Sequence, residues 1–194
     1  MICRWRGGVR RANGAVTPAA FAALLCLAGC AGMKPTRYVN PGFNFSFVKR
    51  VAVLPLENLA NDPQAASRAT RLFITELLAT GAVEVVEPGD VRAAMGRILG
   101  SGSGPTTEQV VALGKALQAQ ALILGNVNES TETRAGTVTV PIVTLDLRMV
   151  ETETGTTVWA ATHTEKGSGA GSRFLGTASE PVSETTSRCV RSEA

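Results

Sequence analysis

His163 is the only histidine in the 194-residue chain and the first place to look for acid–base or metal chemistry. It falls on Thr156 to Thr164, a stretch that reads as a strand, and no cysteine or carboxylate cluster with metal-ligand spacing surrounds it. Neither a metal centre nor a proton-transfer site is expected there. Gly167-Ser168-Gly169-Ala170-Gly171-Ser172 follows that strand as a phosphate-cradling loop would. It lacks the third glycine of a dinucleotide fingerprint, and no later strand completes a parallel crossover. Gly114-Lys115 lacks the leading glycine and the hydroxyl residue of a phosphate loop. Both are more simply loop or helix-packing glycines. Cys189 offers a thiol that is either reactive or, as its place on an expected closing helix favours, packed. The residues therefore predict no catalytic group, no bound metal, no cofactor and no small-molecule substrate, and an enzyme is the weakest reading.

Chemistry of another kind is written at the front. Arg4, Arg6, Arg10 and Arg11 come with no acidic residue, an apolar run follows from Ala19 through Phe21, Leu24, Leu25 and Leu27, and small residues lead to Cys30. Charged, then apolar, then small is the order of a secretory signal, and the apolar part falls short of the roughly 20 residues of a permanent span. Leu27-Ala28-Gly29-Cys30 resembles the lipobox of bacterial lipoproteins. That resemblance implies cleavage between Gly29 and Cys30, a diacylglycerol on the thiol and an acyl chain, palmitate-like, on the new amine. Several chains, at about 0.8 kcal/mol per buried methylene, hold a protein on a membrane almost permanently. Ala31 and Gly32 follow the cysteine where an aspartate would resemble an inner-membrane retention signal. The expected location is the outer membrane, lipid-anchored and facing the periplasm. Arg10-Arg11 lacks the apolar residues of a twin-arginine signal behind it, so the general secretion route is expected.

Removing residues 1–29 takes away four arginines and turns the formal charge of +3 into −1. The basic balance belongs to targeting and gives no ground for nucleic-acid binding. Cys3 and Cys26 leave with the signal and Cys30 carries lipid, so Cys189 is left with no internal disulfide partner. The exported domain must hold together by its core, for which roughly 145 residues suffice. With few aromatic residues, that core is built from Val, Leu, Ile and Ala.

The elements follow from the periodicities. Residues 30–47 read as the lipidated cysteine and a tether, ending in Phe43-Asn44-Phe45-Ser46-Phe47, where aromatics alternate at the strand period. This row is either a half-buried edge strand closing the core or a strip facing the membrane or a partner. Val51 to Leu56 reads as a central strand buried on both faces. Asn61-Asp62-Pro63 starts a helix whose apolar face is Ala69, Leu72, Phe73 and Leu77 and which stops at Gly81. Val83 to Glu87 is a second strand. A second helix carries Val91, Ala94, Met95, Ile98 and Leu99, Gly100 to Pro105 is a loop, and Thr106 with Gln109 caps a third helix. Ala121 to Val127 is again a core strand. Val143, Leu145, Leu147 and Met149 alternate with Thr144, Asp146 and Arg148, as on a strand wet on one side. A turn at Glu151 to Gly155, a returning strand and a closing helix from Pro181 complete one mixed α/β domain over 48–194, a sheet flanked by helices.

Three segments of that domain resemble a known family. Arg50-Val51-Ala52-Val53-Leu54-Pro55-Leu56-Glu57-Asn58 is similar to the first-strand signature of lipoproteins of the CsgG curli-secretion type, whose domain is like the TolB N-terminal (anticodon-binding-like) domain. Gly114-Lys115-Ala116-Leu117 with Ala121 to Val127 resembles the family's helix-to-strand passage, and Leu145 to Val150 with Glu153-Thr154-Gly155 and Val158-Trp159 its late hairpin. The similarity spans roughly residues 48 to 185. It implies a non-enzymatic periplasmic interaction module serving envelope or curli-type surface-structure assembly or transport. The alternatives it implies are a subunit of an oligomeric curli-type export channel and an activator of a cell-wall synthase, like the penicillin-binding-protein activator lipoproteins. The expected partners are the outer membrane, envelope proteins and further copies of the chain. Contacts with them are expected at Phe43, Phe45 and Phe47 and on the polar arm from Asn128 to Gly136, with Glu129, Glu132 and Arg134. Those charges count against a pore, since a basic residue facing lipid near the midplane costs about 2–4 kcal/mol. The short tether counts against a reach through the cell-wall mesh.

Overall fold

A computed structural model of the chain describes residues 36–99, 104–135, 138–167 and 181–192. Gly29, Cys30, Gly136 and residues 168–172 of the glycine-rich stretch lie outside them. In chain order the elements are β1 (Thr36–Val39), β2 (Arg50–Val53), β3 (Glu57–Asn58), α1 (Ala65–Thr80), β4 (Glu84–Val85), α2 (Pro88–Ile98), α3 (Thr107–Leu117), β5 (Ala121–Ala135), β6 (Val138–Glu151), β7 (Thr157–Lys166) and α4 (Val182–Arg191). The strands form a single mixed sheet in the order β1-β7-β6-β5-β2-β4, with β3 also on β5. β2 is parallel to β4 and β5, while β5, β6, β7 and β1 run antiparallel to their neighbours in turn.

The alternation along β2 and β5 divides the core between the two faces of the sheet. Val51, Val53 and Ile123 point to one face, where with Leu145 and Leu147 they meet Phe73 and Leu77 of α1 and Cys189 and Val190 of α4. Ala52, Leu54, Leu122 and Leu124 point to the other, against Val91 and Ala94 of α2 and Val110, Leu113 and Leu117 of α3. Strands apolar at every position are what a sheet covered on both sides demands. The result is the expected α/β domain in three layers: α1 and α4, the sheet, then α2 and α3.

Four local expectations are corrected. The row Phe43, Phe45, Phe47 is not a strand, because residues 45–47 close a turn of 3-10 helix. The Asn44 side chain accepts from the Ser46 amide at 3.0 Å and the Val48 amide donates to the Phe45 carbonyl at 3.1 Å. Such local bonds offer the backbone an alternative to the extended form. The edge strand of the sheet is instead β1, drawn from the stretch read as tether and paired Thr36 to Thr162 and Val39 to Trp159. The first helix starts later than Asn61-Asp62-Pro63, with Gln64 as its N-cap and no side-chain cap bond. Asp62 closes the turn before it, its carboxylate accepting from the Gln64 amide at 2.9 Å and its carbonyl from the Ala65 amide at 3.1 Å. Finally, the third core strand does not stop at Val127. β5 and β6 pair continuously out to Ala135 and Val138, since Thr131, Thr133, Thr139, Val140 and Ile142 are β-branched residues that suit a pleated ribbon.

Candidate functional site

The aromatic residues are brought together by the turn. The Phe43 ring lies 4.8 Å from that of Phe45, nearly perpendicular at 78° in the edge-on geometry favoured by ring quadrupoles, and 5.0 Å from that of Phe47, tilted at 60°. Phe43 is half-buried against the α1–α4 side of the core. Phe45 and Phe47 stay outside, 36% and 43% exposed, and Tyr38 and Val39 on β1 are about half exposed at 50% and 52%. Just beyond the turn, the Gln120 side-chain carbonyl accepts from the amides of Lys49 at 3.1 Å and Arg50 at 2.7 Å. It thereby ties the turn to the start of β5 and satisfies two donors at the entry of β2.

The three charged residues of the polar arm do not form one cluster. Odd steps of three and five residues separate Glu129 from Glu132 and Arg134, so the two-residue strand period sends them to opposite faces; the bulge between Val127 and Glu129 precedes all three. Glu129 pairs with Thr144, on the face of Asp146, and accepts from the Thr131 hydroxyl at 3.0 Å. Glu132 and Arg134 pair with Pro141 and Thr139 on the other face and are exposed. The root of the arm is pinned. Arg68 donates to the Asp62 carboxylate at 2.5 Å and to the Ser130 hydroxyl at 3.3 Å, and Ser130 donates to Asp62 at 3.4 Å. The Arg68 bond, with the Gln64 amide and the Ser130 hydroxyl, holds the Asp62 carboxyl below its usual range despite the opposing effect of burial.

A groove of about 840 Å³, which the sequence did not announce, opens where the α2–α3 layer stops short of β6 and β7. Leu54, Met95, Leu99 and Pro105 make its apolar wall, and Asn126, Asp146, Arg148 and Thr162 its polar floor. Asn126 donates to Asn128 at 2.5 Å and Asn128 in turn donates to Asp146. The wet positions of β6 were legible from their alternation. The wall was not, because it brings Leu54, Met95, Leu99 and Pro105 together from separate elements.

His163 and Cys189 belong to the packing of α4. His163 is buried with Nε2 3.2 Å from Glu165, whose other oxygen accepts from Arg188 Nε at 3.0 Å. Cys189 is fully buried, its Sγ 3.6 Å and 3.7 Å from the carbonyls of His163 and Val143. Gly114 is a packing glycine: a Cβ there would stand 2.3 Å from Thr152 Cβ. Among the described residues no group of three or more His, Cys, Asp or Glu is placed to hold a metal ion. Among them, too, no helix is long and apolar enough to cross a membrane.

This arrangement defines a three-layer α/β domain with an exposed aromatic turn, a projecting β-arm and an open groove. Solved structures share that fold. The chain is similar to PelC from Paraburkholderia phytofirmans, solved as a dodecamer, at 18% identity over 81% of this chain and 93% of that one, with a TM-score of 0.55. It is similar to the lipoprotein GNA1162 from Neisseria meningitidis at 16% identity over 66% and 90%, with a TM-score of 0.50. The C-terminal domain of LpoB from Salmonella enterica overlays less well, with a TM-score of 0.49 at 16% identity over 64% and 86%. At these identities the likeness is one of fold. No family model and no curated protein sequence matches the chain.

Proposed function

We propose that this protein is a lipid-anchored, non-enzymatic interaction module of the bacterial envelope, held at the outer membrane through Cys30 and serving the assembly or transport of a surface structure, the curli type included. One juxtaposition carries the reading: a domain folded like the lipoprotein GNA1162 begins at Thr36, six residues after a cysteine in lipobox context. Projecting arm, aromatic turn and groove are surfaces for contacts with other proteins or with the membrane. A ring of copies is a second reading, favoured by the likeness to PelC, which is a dodecamer.

The anchor is tested by changing Cys30→Ala in the producing cell. The wild-type protein is expected in the membrane pellet, with an intact mass that includes a diacylglyceryl group and an acyl chain. The variant is expected in the soluble fraction or retained as unprocessed precursor. A correctly cleaved wild type without added lipid mass would refute the reading.

A further inference from the structure

We propose that the aromatic turn Phe45–Phe47 seats on the lipid surface that carries the anchor and fixes the orientation of the domain on the membrane. The inference rests on the lipid-anchored reading above and adds a second, non-covalent contact to it. Six large apolar side chains are exposed among the described residues: Tyr38 and Val39, successive on β1, face opposite sides of the sheet, while Phe45 and Phe47 stand together on one turn with their rings on that of Phe43. Clustering of that kind marks a contact surface, whereas single exposed apolar residues need no explanation.

Length makes the occupant a membrane. The six residue steps from Cys30 to Thr36 extend at most about 20 Å, so an acylated Cys30 keeps β1 and the turn behind it close to the bilayer at all times. The turn is also built for an interface. Phe45 is braced edge-on and Phe47 at a tilt against Phe43, which is half-buried against the core, so the rings project without needing to be ordered on contact. Phenylalanine is among the residues that make the apolar face of elements lying in a membrane interface.

The charges around the turn suit anionic headgroups. Lys49 is exposed beside it and Lys115 lines the same hollow as Phe47. Of the nearby carboxylates, Glu84 is paired with Arg50 at 3.0 Å. Glu151 accepts from its own turn, from the Thr154 amide at 2.9 Å and hydroxyl at 2.7 Å. Glu153 faces the hollow as the opposing charge. Phe47 also borders Gln118 and Gln120 at the start of β5. The far end of that strand at Thr133, twelve residues on, lies about 40 Å away at ~3.3 Å per residue. With the turn on lipid, the arm is carried away from the membrane.

The test uses the full-length, acylated protein reconstituted into phosphatidylethanolamine–phosphatidylglycerol vesicles with or without brominated acyl chains, which quench tryptophan at close range. Phe47→Trp reports from the turn, Thr133→Trp from the arm, and the parent, whose only tryptophan after residue 29 is Trp159, sets the baseline. Aromatic rings seated ~5–10 Å into the headgroup boundary should lose about half their emission, so the emission that Phe47→Trp adds over the parent is expected to fall about two-fold while that added by Thr133→Trp, and the parent's own, hold. Phe45→Trp is the second reporter should Phe47→Trp lose the folded circular-dichroism signal. An acylated, vesicle-bound protein with both turn reporters unquenched overturns the seating but leaves the anchor, and is the outcome if a second copy or a protein partner covers the turn. A protein without acyl mass that fails to float with vesicles overturns the anchored reading and the seating with it.

Discussion

Gly114 shows how little room single positions have. On α3 it faces Thr152, whose hydroxyl donates to the Ala119 carbonyl at 2.7 Å. A Cβ there would meet the Thr152 Cβ at 2.3 Å and its Cγ2 at 2.6 Å, distances that force the hairpin turn or the helix to move. Gly114→Ala is therefore expected to destabilise by about 1–3 kcal/mol, the usual range for overpacking. A denaturant midpoint reads this, and the double variant with Thr152→Ala should lose less than the two single losses combined. Asp62 has a pH signature. Its carboxyl titrates below the ordinary range because Arg68 and the Gln64 amide bond to the charged form. A depressed folded value contributes stability that is present above the unfolded value of about 4 and is lost as pH falls through the lower folded one. Urea midpoints should thus fall below about pH 4, and Asp62→Asn should be less stable at neutral pH with a flatter profile in that acid window. An unchanged acid profile would show that the Asp62–Arg68–Ser130 contact contributes nothing.

At the level of elements, what the sequence made legible was what a period or a cap encodes locally. Thr106 and Gln109 make the reciprocal capping box expected of them, with bonds of 2.8 Å and 3.3 Å, and Gly81 ends α1 in the left-handed region at φ 64°. Thr106→Ala is expected to lose about 1 kcal/mol and lower the melting temperature by about 2–4 °C, as for a domain of roughly 150 residues. A change within error would mean that packing of Leu113 and Leu117 alone holds α3. The elements that were misread depend on pairing. Phe43-Asn44-Phe45-Ser46-Phe47 has the strand period, but Asn44 turns the chain before a partner can be reached. Thr36-Arg37-Tyr38-Val39 has no apolar alternation to announce it, yet β7 leaves an edge that it completes. The division of Glu129 from Glu132 and Arg134 follows from the strand period of two, since odd steps separate them; the bulge after Val127 precedes all three and sets which face of the sheet each joins, which no residue pattern in β5 alone specifies. The groove was hidden for the same reason, since its wall and floor come from segments far apart in sequence.

For the whole molecule the open question is assembly, and the geometry frames it. A ring subunit must offer two different surfaces to its two neighbours. The sheet ends in β1 on one side and β4 on the other, both short, as exposed edges that avoid uncontrolled pairing usually are. The likeness to PelC, solved as a dodecamer, covers 93% of that chain and is one of fold. The charges of the arm's outer part, Glu132 and Arg134, are both exposed on one face, while Thr131, Thr133, Val140 and Ile142 share the other. On the ring reading, acylated protein extracted gently from its own membrane is expected to run as a discrete large oligomer in light scattering, and, with attachment carried by the lipid on Cys30, Glu132→Leu with Arg134→Leu is expected to leave both its size and its membrane attachment unchanged. A monomer at concentrations where the protein works would end the ring reading and leave a single anchored module, whose partner must then be sought among proteins that co-purify with the arm intact and are lost when residues 131–134 are replaced.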